Sequence, residues 1–280
     1  MNSRKEDVKM NNQRKPKYLY LLFLILLIAT VLIVGCTGND IAIEEKEAEH
    51  EVDEIDESGP DIPKESAVDP EVEITFGTPV KSPHYVDNVP AHAAVIPDVP
   101  INVVVNFDFD VIPSSEIVIT GEDGQIYSFG DTTIDDNKLG MRVMMDPESP
   151  DGKYSVDYKA CWPDGSCHDG MFQFAIDRTL ASAFTDLRGQ SEIIIYMENN
   201  SFELQDIIID AGTTLTWVNN DPVDHYINTD PHPGHNYYPE QNSRALDSGE
   251  TYSLTLNIAG YYPYHCSAHP ETMKAVIIVE

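Results

Sequence analysis

The sequence predicts an all-β protein carrying two β-sandwich domains. After residue 81, apolar and polar residues alternate with period two in short stretches. In one of them Val103, Val105, Phe107 and Phe109 share a face opposite Asn106, Asp108 and Asp110. Turn signals at Asp123-Gly124, Asp151-Gly152 and Asp164-Gly165 punctuate these stretches, and no long helical pattern interrupts them. The 280 residues are 41% hydrophobic and 9% aromatic, enough for real cores and too much for wholesale disorder. Seventeen Lys and Arg stand against 48 Asp and Glu, a formal net charge of −31. That balance excludes a nucleic-acid binder, which needs clustered cations to neutralise phosphates. Four cysteines are too few to staple a chain of this length, so each needs its own explanation.

Residues 1–36 read as an address. Arg4, Lys5, Lys9, Arg14, Lys15 and Lys17 precede an unbroken apolar run from Tyr18 to Val34, which ends in Ile33-Val34-Gly35-Cys36. The last four residues resemble the lipobox of bacterial and archaeal lipoproteins, which implies lipidation of Cys36 as the mature N-terminus. The alternative is an uncleaved anchor, since 17 apolar residues sit at the short limit for a membrane span. Both readings keep the basic residues in the cytoplasm and place everything after Cys36 on the outward, periplasmic or extracellular, side of the cell membrane.

Residues 37–78 follow as an acidic linker. Between Asn39 and Glu73 there are 15 acids, two lysines and prolines at 60, 63 and 70. Such a segment cannot build a core and its like charges repel, so it reads as an extended tether of roughly 30–35 Å or more.

Residues 79–178 form the first predicted sandwich. Tyr154, Val156 and Tyr158 alternate with Ser155, Asp157 and Lys159, and Phe172, Phe174 and Ile176 alternate likewise. A polar seam at Ala181–Gln190 leads into the second, residues 186–280. Its strands are expected at Glu192–Met197, Leu204–Ile209, Thr213–Val218, Tyr252–Asn257, Tyr261–Cys266 and Ala275–Val279.

Chemistry concentrates near the C-terminus, in Tyr264-His265-Cys266-Ser267-Ala268-His269-Pro270-Glu271-Thr272-Met273. A thiol, an imidazole and a thioether within eight residues make a soft donor set. Copper takes such donors as two imidazoles and a thiolate in a trigonal plane with a long axial Met. Cys266 alternates with Tyr262 and Tyr264 and so points inward, whereas His265 should face away from the metal. The missing imidazole is supplied by His225, in Trp217-Val218-Asn219-Asn220-Asp221-Pro222-Val223-Asp224-His225. Zinc accepts the same donors but usually avoids thioether, so Met273 favours copper. Spacing excludes two other copper chemistries. No two of the nine histidines lie two positions apart, as a multicopper oxidase requires, and only one thiolate lies in the loop, where a dinuclear centre needs two.

Residues 190–280 resemble the plastocyanin/azurin class of cupredoxins, halocyanin-like members included. The resemblance rests on Cys-x2-His-x3-Met, on Trp-x-Asn-x-Asp-x3-His, and on Asp230-Pro231-His232-Pro233-Gly234-His235. It implies a Greek-key sandwich holding one type 1 blue copper on His225, Cys266, His269 and Met273. It also places His232 and His235 near the site, where they would support the ligands or lie at the surface rather than bind the ion, and Asn219 would support the ligands.

Residues 81–178 resemble the CopC family of exported copper-binding, immunoglobulin-type sandwiches. The matching stretches are His84 through Val89-Pro90-Ala91, Pro100 through Phe109, Ile117–Ile126, and Asp164-Gly165 with Gly170-Met171-Phe172-Gln173-Phe174. That family binds Cu(II) through an N-terminal histidine with its free amine, an Asp and a second His. Here His84 follows Cys36 by 48 residues and His168 is displaced by two positions, so the donor set is incomplete and a second copper is not expected. Met141, Met144, Met145 and Met171 read as strand-core side chains. Cys161 and Cys167 flank a turn and, in an oxidising compartment, are expected to form a disulfide.

These readings converge on a membrane-tethered blue copper protein, not an enzyme, that carries single electrons between redox proteins. Its acid-rich surface would favour partners with basic patches. Copper capture or delivery, with resistance as its outcome, is the rival reading.

Overall fold

The computed structural model describes residues 74–280, which fall within one compact unit. The leader, the lipidation site at Cys36 and most of the acidic linker lie outside the described residues. Among the described residues, no helix is long and apolar enough to cross a membrane.

The first domain has eight strands: β1 (Tyr85–Val89), β2 (Val95–Ile96), β3 (Asn102–Phe107), β4 (Glu116–Gly121), β5 (Ser128–Ile134), β6 (Gly140–Met145), β7 (Gly152–Cys161) and β8 (Cys167–Ile176). They form two sheets, ordered β1-β3-β6-β5 and β2-β8-β7-β4. The period-two reading holds on β7 and β8, where Tyr154, Val156, Tyr158, Phe172, Phe174 and Ile176 are all buried between the sheets. Cys161 and Cys167 lie opposite each other across that hairpin and are bonded, as expected.

The sandwich begins earlier than residue 79. The Gly77 amide donates to Gln173 Oε1 at 2.7 Å, and Val80 exchanges two backbone hydrogen bonds with Met171 at 2.8 Å. Two core assignments also need correction. Phe109 lies beyond the end of β3, is 47% exposed, and stacks on His84 instead of entering the core. Met144 points outward, opposite in phase to the buried Met141, Val143 and Met145 on β6.

The second domain contains β9 (Thr185–Asp186), β10 (Glu192–Glu198), β11 (Ser201–Phe202), β12 (Asp206–Ile209), β13 (Thr213–Asn219), β14 (Asn228–Thr229), β15 (Thr251–Leu256), β16 (Gly260–His265) and β17 (Lys274–Val279). One sheet runs β11-β10-β13-β15 and the other β14-β16-β17-β12-β9. The pairings β10 with β13 and β12 with β17 are parallel, each needing a crossover between the sheets. The polar seam is partly structured: β9 within it joins the sheet through β12. Inward residues Ile193, Ile195, Met197, Leu215, Trp217, Tyr262, Tyr264 and Ile277 form the core.

The two sandwiches pack against each other along β3. Its second face, read from sequence as polar, is not left to solvent. Val104 is fully buried in the hydrophobic cluster of the second domain, together with Val89 and Ile101, and burying one such valine contributes about 1.5–3 kcal/mol. Tyr261 packs in return on the core of the first domain. Polar contacts reinforce the seam: Asn236 Nδ2 donates to Asn106 Oδ1 at 2.7 Å, and the Tyr261 amide donates to the Val99 carbonyl at 2.9 Å.

Gly260 is fitted to this seam. Its φ is +138°, and a Cβ there would meet the Val99 carbonyl oxygen and Ile101 Cγ2, both at 2.8 Å. Gly260→Ala is therefore expected to lose roughly 1–3 kcal/mol of stability through overpacking and strain, measured as a lowered midpoint of chemical unfolding. An unchanged midpoint would mean the seam yields freely.

Candidate metal centre

The site lies where β13 and β16 end. Asn219, last in β13, is fully buried and uses its whole amide to shape the loop that follows. Its Nδ2 donates to the carbonyls of Val223 and Leu246, both at 2.8 Å, and its Oδ1 accepts from the Asp221 amide at 2.9 Å. The next anchor is Asp221, which receives the amides of Asn199 and Asn200 at 2.8 Å each. Chiefly the Asn200 amide, with help from His225, holds the Asp221 carboxyl below the usual carboxylate range. Asp221 Oδ2 in turn lies 2.8 Å from His225 Nε2. Nε2–H donates to the carboxylate, which leaves His225 Nδ1 with its lone pair free toward the interior.

On the other strand, Tyr264 at 1% exposure and the edge of Trp217 build an apolar wall, with Trp217 Nε1 donating to the Tyr264 hydroxyl at 3.3 Å. Cys266 follows at 0% exposure. A tight loop then returns the chain: the His269 amide donates to the Cys266 carbonyl, the Met273 amide to the His269 carbonyl, and the Cys266 amide to the Met273 carbonyl, each at 2.9 Å. Cys266 Sγ ends 3.5 Å from His225 Nδ1 and 3.7 Å from His269 Nδ1. The Tyr226 amide points at the same sulfur from 3.4 Å, a donor suited to a thiolate. Met273 is fully buried in the core cluster that also contains Cys266.

These distances fit a metal ion. With bonds of about 2.0 Å to nitrogen and 2.3 Å to sulfur, a trigonal arrangement separates nitrogen from sulfur by about 3.7 Å. The donors already stand near the separation that a bound ion needs, so filling the site requires little movement. Thiolate, two imidazoles and a nearby thioether are the donor chemistry of copper.

Other predicted residues fall elsewhere. His232 and His235 make no ring-nitrogen contact with this centre, and His232 lies at the surface. Their polar contacts run to His265 and Ser267, because the Pro-rich loop lies on the opposite side of the end of β16. His265, read as facing away from Cys266, does so and is buried there. Burial, with the neighbouring His265 and His232, pushes the His235 imidazole down to about 4, so it is uncharged at neutral pH. In the first domain, His84 pairs with Asp108 at 2.8 Å and lies against Trp162, while His168 is exposed on β8. Neither belongs to a group of three converging metal donors among the described residues.

Sequence reasoning missed the function of Asp221. The Asp-x3-His spacing was visible, but only the fold shows that the acid reaches the outer nitrogen of His225.

Comparison with known proteins finds relatives for both domains. The CopC domain family model matches residues 85–177, and the model described as copper binding proteins, plastocyanin/azurin family, matches residues 192–280. Plastocyanin of Scenedesmus fuscus is 38% identical over 84 residues, 28% of this chain and 86% of that protein. Amicyanin-alpha of Methylorubrum extorquens is 33% identical over 79 residues, 28% of this chain. The chain spans 64% of that amicyanin's length. Among solved structures, CopC from Methylosinus trichosporium OB3b aligns at 24% identity with a TM-score of 0.31, covering 33% of this chain and 91% of that one.

Proposed function

The chain belongs to the plastocyanin/azurin family of copper-binding proteins through residues 192–280, with a CopC domain ahead of them, and from that premise we propose that it is a membrane-tethered carrier of single electrons outside the cytoplasm. One observation supports this most directly: His225, Cys266 and His269 present their donor atoms within 4.8 Å of one another, two of the three residues fully buried. In this reading His225, Cys266, His269 and Met273 would hold the copper. Bound there, copper supplies a one-electron couple between Cu(I) and Cu(II).

The protein's own residues account for the rest. Asp221 fixes His225 in one tautomer, Asn219 locks the loop, and the Tyr226 amide stabilises charge on the Cys266 sulfur. Trp217, Tyr264 and Phe202 exclude water from the inner side, which limits reorganisation when charge changes. His269 is only half-buried, so it offers the route by which a partner protein comes close. The net charge of −31 favours partners with basic patches, and their association should weaken with salt. Tethering rests on the basic and apolar run ending at Cys36.

Loading the full chain with Cu(II) tests the proposal. An intense blue absorption that disappears on one-electron reduction and returns on oxidation is expected. A colourless copper complex would overturn it. The CopC domain favours one second reading, copper capture and delivery, which predicts rapid loss of the metal to competing chelators instead of a kinetically stable centre.

A further inference from the structure

A second cluster of imidazoles converges on the other side of the end of β16. His232 Nδ1 lies 3.3 Å from His235 Nε2, which lies 3.2 Å from His265 Nε2, and the three donor atoms all fall within 4.8 Å of one another. We propose that His232, His235 and His265 form a second metal site, separate from the Cys266 centre, for a divalent first-row cation of the Cu(II) or Zn(II) type.

Hydrogen bonding within this cluster crowds on one nitrogen, His235 Nε2. His265 Nδ1 stands 2.6 Å from Asp230 Oδ1, so the single proton of the neutral ring is used there and Nε2 presents a lone pair. Ser267 Oγ lies 3.1 Å from His235 Nε2 but donates its own proton to Asn228 Oδ1 at 2.9 Å. His235 Nε2 therefore faces a serine oxygen and two further imidazole nitrogens, and a proton on it can be aimed squarely at only one of the three. A cation placed between the rings satisfies all three nitrogens at once.

The dimensions agree. Metal–nitrogen bonds of about 2.0–2.1 Å at tetrahedral angles set neighbouring nitrogens about 3.3 Å apart. The pairing of Asp230 with His265 is the carboxylate–histidine–metal arrangement that orients a ligand and raises its basicity. An all-imidazole set suits Zn(II) and Cu(II), with Cu(II) the tighter of the two. Burial is graded to match, from His265 at 1% exposure to His232 at the surface, which gives the ion an entrance and leaves a fourth position for water. His265 and Cys266 are neighbours in the chain, so the two ions would flank one peptide bond.

The full chain, its Cys266 centre filled with copper and all other copper removed by a chelator until total copper equals the blue centre, is titrated with Zn(II), and bound metal is counted after desalting. One zinc per chain is expected. The double variant His232→Gln, His235→Gln should lose that zinc while its blue absorption, which reports an intact fold, stays unchanged. Asp230→Asn should weaken zinc binding 10–100-fold. No zinc on the native chain, or the same zinc on the double variant, overturns the proposal. The Cys266→Ser chain separates the two sites, because it should lose the blue absorption yet keep the zinc that depends on His232 and His235.

Discussion

Cys266→Ser is expected to abolish the blue absorption and the reversible one-electron couple completely, while the protein remains folded. The reason is chemical, because the two side chains are close in size. A thiol loses its proton readily to become a metal ligand, and a serine hydroxyl does not at neutral pH. The Tyr226 amide, 3.4 Å from the sulfur, can still donate to the smaller oxygen, and the loop bonds between Cys266, His269 and Met273 are all backbone. The apo variant should therefore unfold within about 0.5–3 kcal/mol of the apo native chain. The larger difference comes with metal present. A ligand at a thousand times its dissociation constant adds about 4 kcal/mol to the native state, and the variant forgoes most of that gain. Absorption, voltammetry and thermal unfolding with and without copper check each part. A variant that stays blue would remove Cys266 from the centre.

What could be read from the sequence was whatever depends on short-range order. Period two placed Tyr154, Val156 and Tyr158 inward on β7 because a pleated strand with one buried face allows no other phase. The same rule put Cys266 and His265 on opposite sides of β16. Donor spacing singled out His225, Cys266, His269 and Met273 as candidates, and the fold brings the donor atoms of the first three within 4.8 Å of one another. What depends on a distant partner was not legible. Val104 and Asn106 on β3 read as the outer face of a single sandwich, yet their partners come from the second domain, Asn236 being 130 positions away. Phe109 fits the alternation but lies past the end of its strand. The family resemblance sets the loop of His232 and His235 near the metal, whereas contacts of Asn236 and Tyr237 with the first domain hold the end of that loop. The pairing of Asp221 with His225 and that of Asp230 with His265 are side-chain geometry, which spacing alone does not determine.

Tyr237 is where the two domains should prove to be energetically coupled. Its ring is fully buried in the second core, and its hydroxyl lies in the seam. It accepts from the Ile101 amide at 2.9 Å and donates to the Tyr261 carbonyl at 2.6 Å, while its own carbonyl accepts from Asn102 Nδ2 at 2.9 Å. Burial drives the phenol far above its ordinary range, so it stays neutral and keeps the proton it donates. Tyr237→Phe keeps the ring but leaves a buried amide and a carbonyl without their partner, a loss of about 1–3 kcal/mol. Tyr237→Ala also opens a cavity between the domains and should cost about 3–5 kcal/mol. The chain contains two tryptophans, Trp162 in the first domain and Trp217 in the second, so fluorescence can follow each domain in a background where the other is replaced by Phe. Both probes should report one shared unfolding transition in the native chain. In Tyr237→Ala they should separate, because the seam contributes to both domains only while both are folded. Coincident transitions in that variant, or no loss of stability in Tyr237→Phe, would show that the domains share a surface without sharing stability.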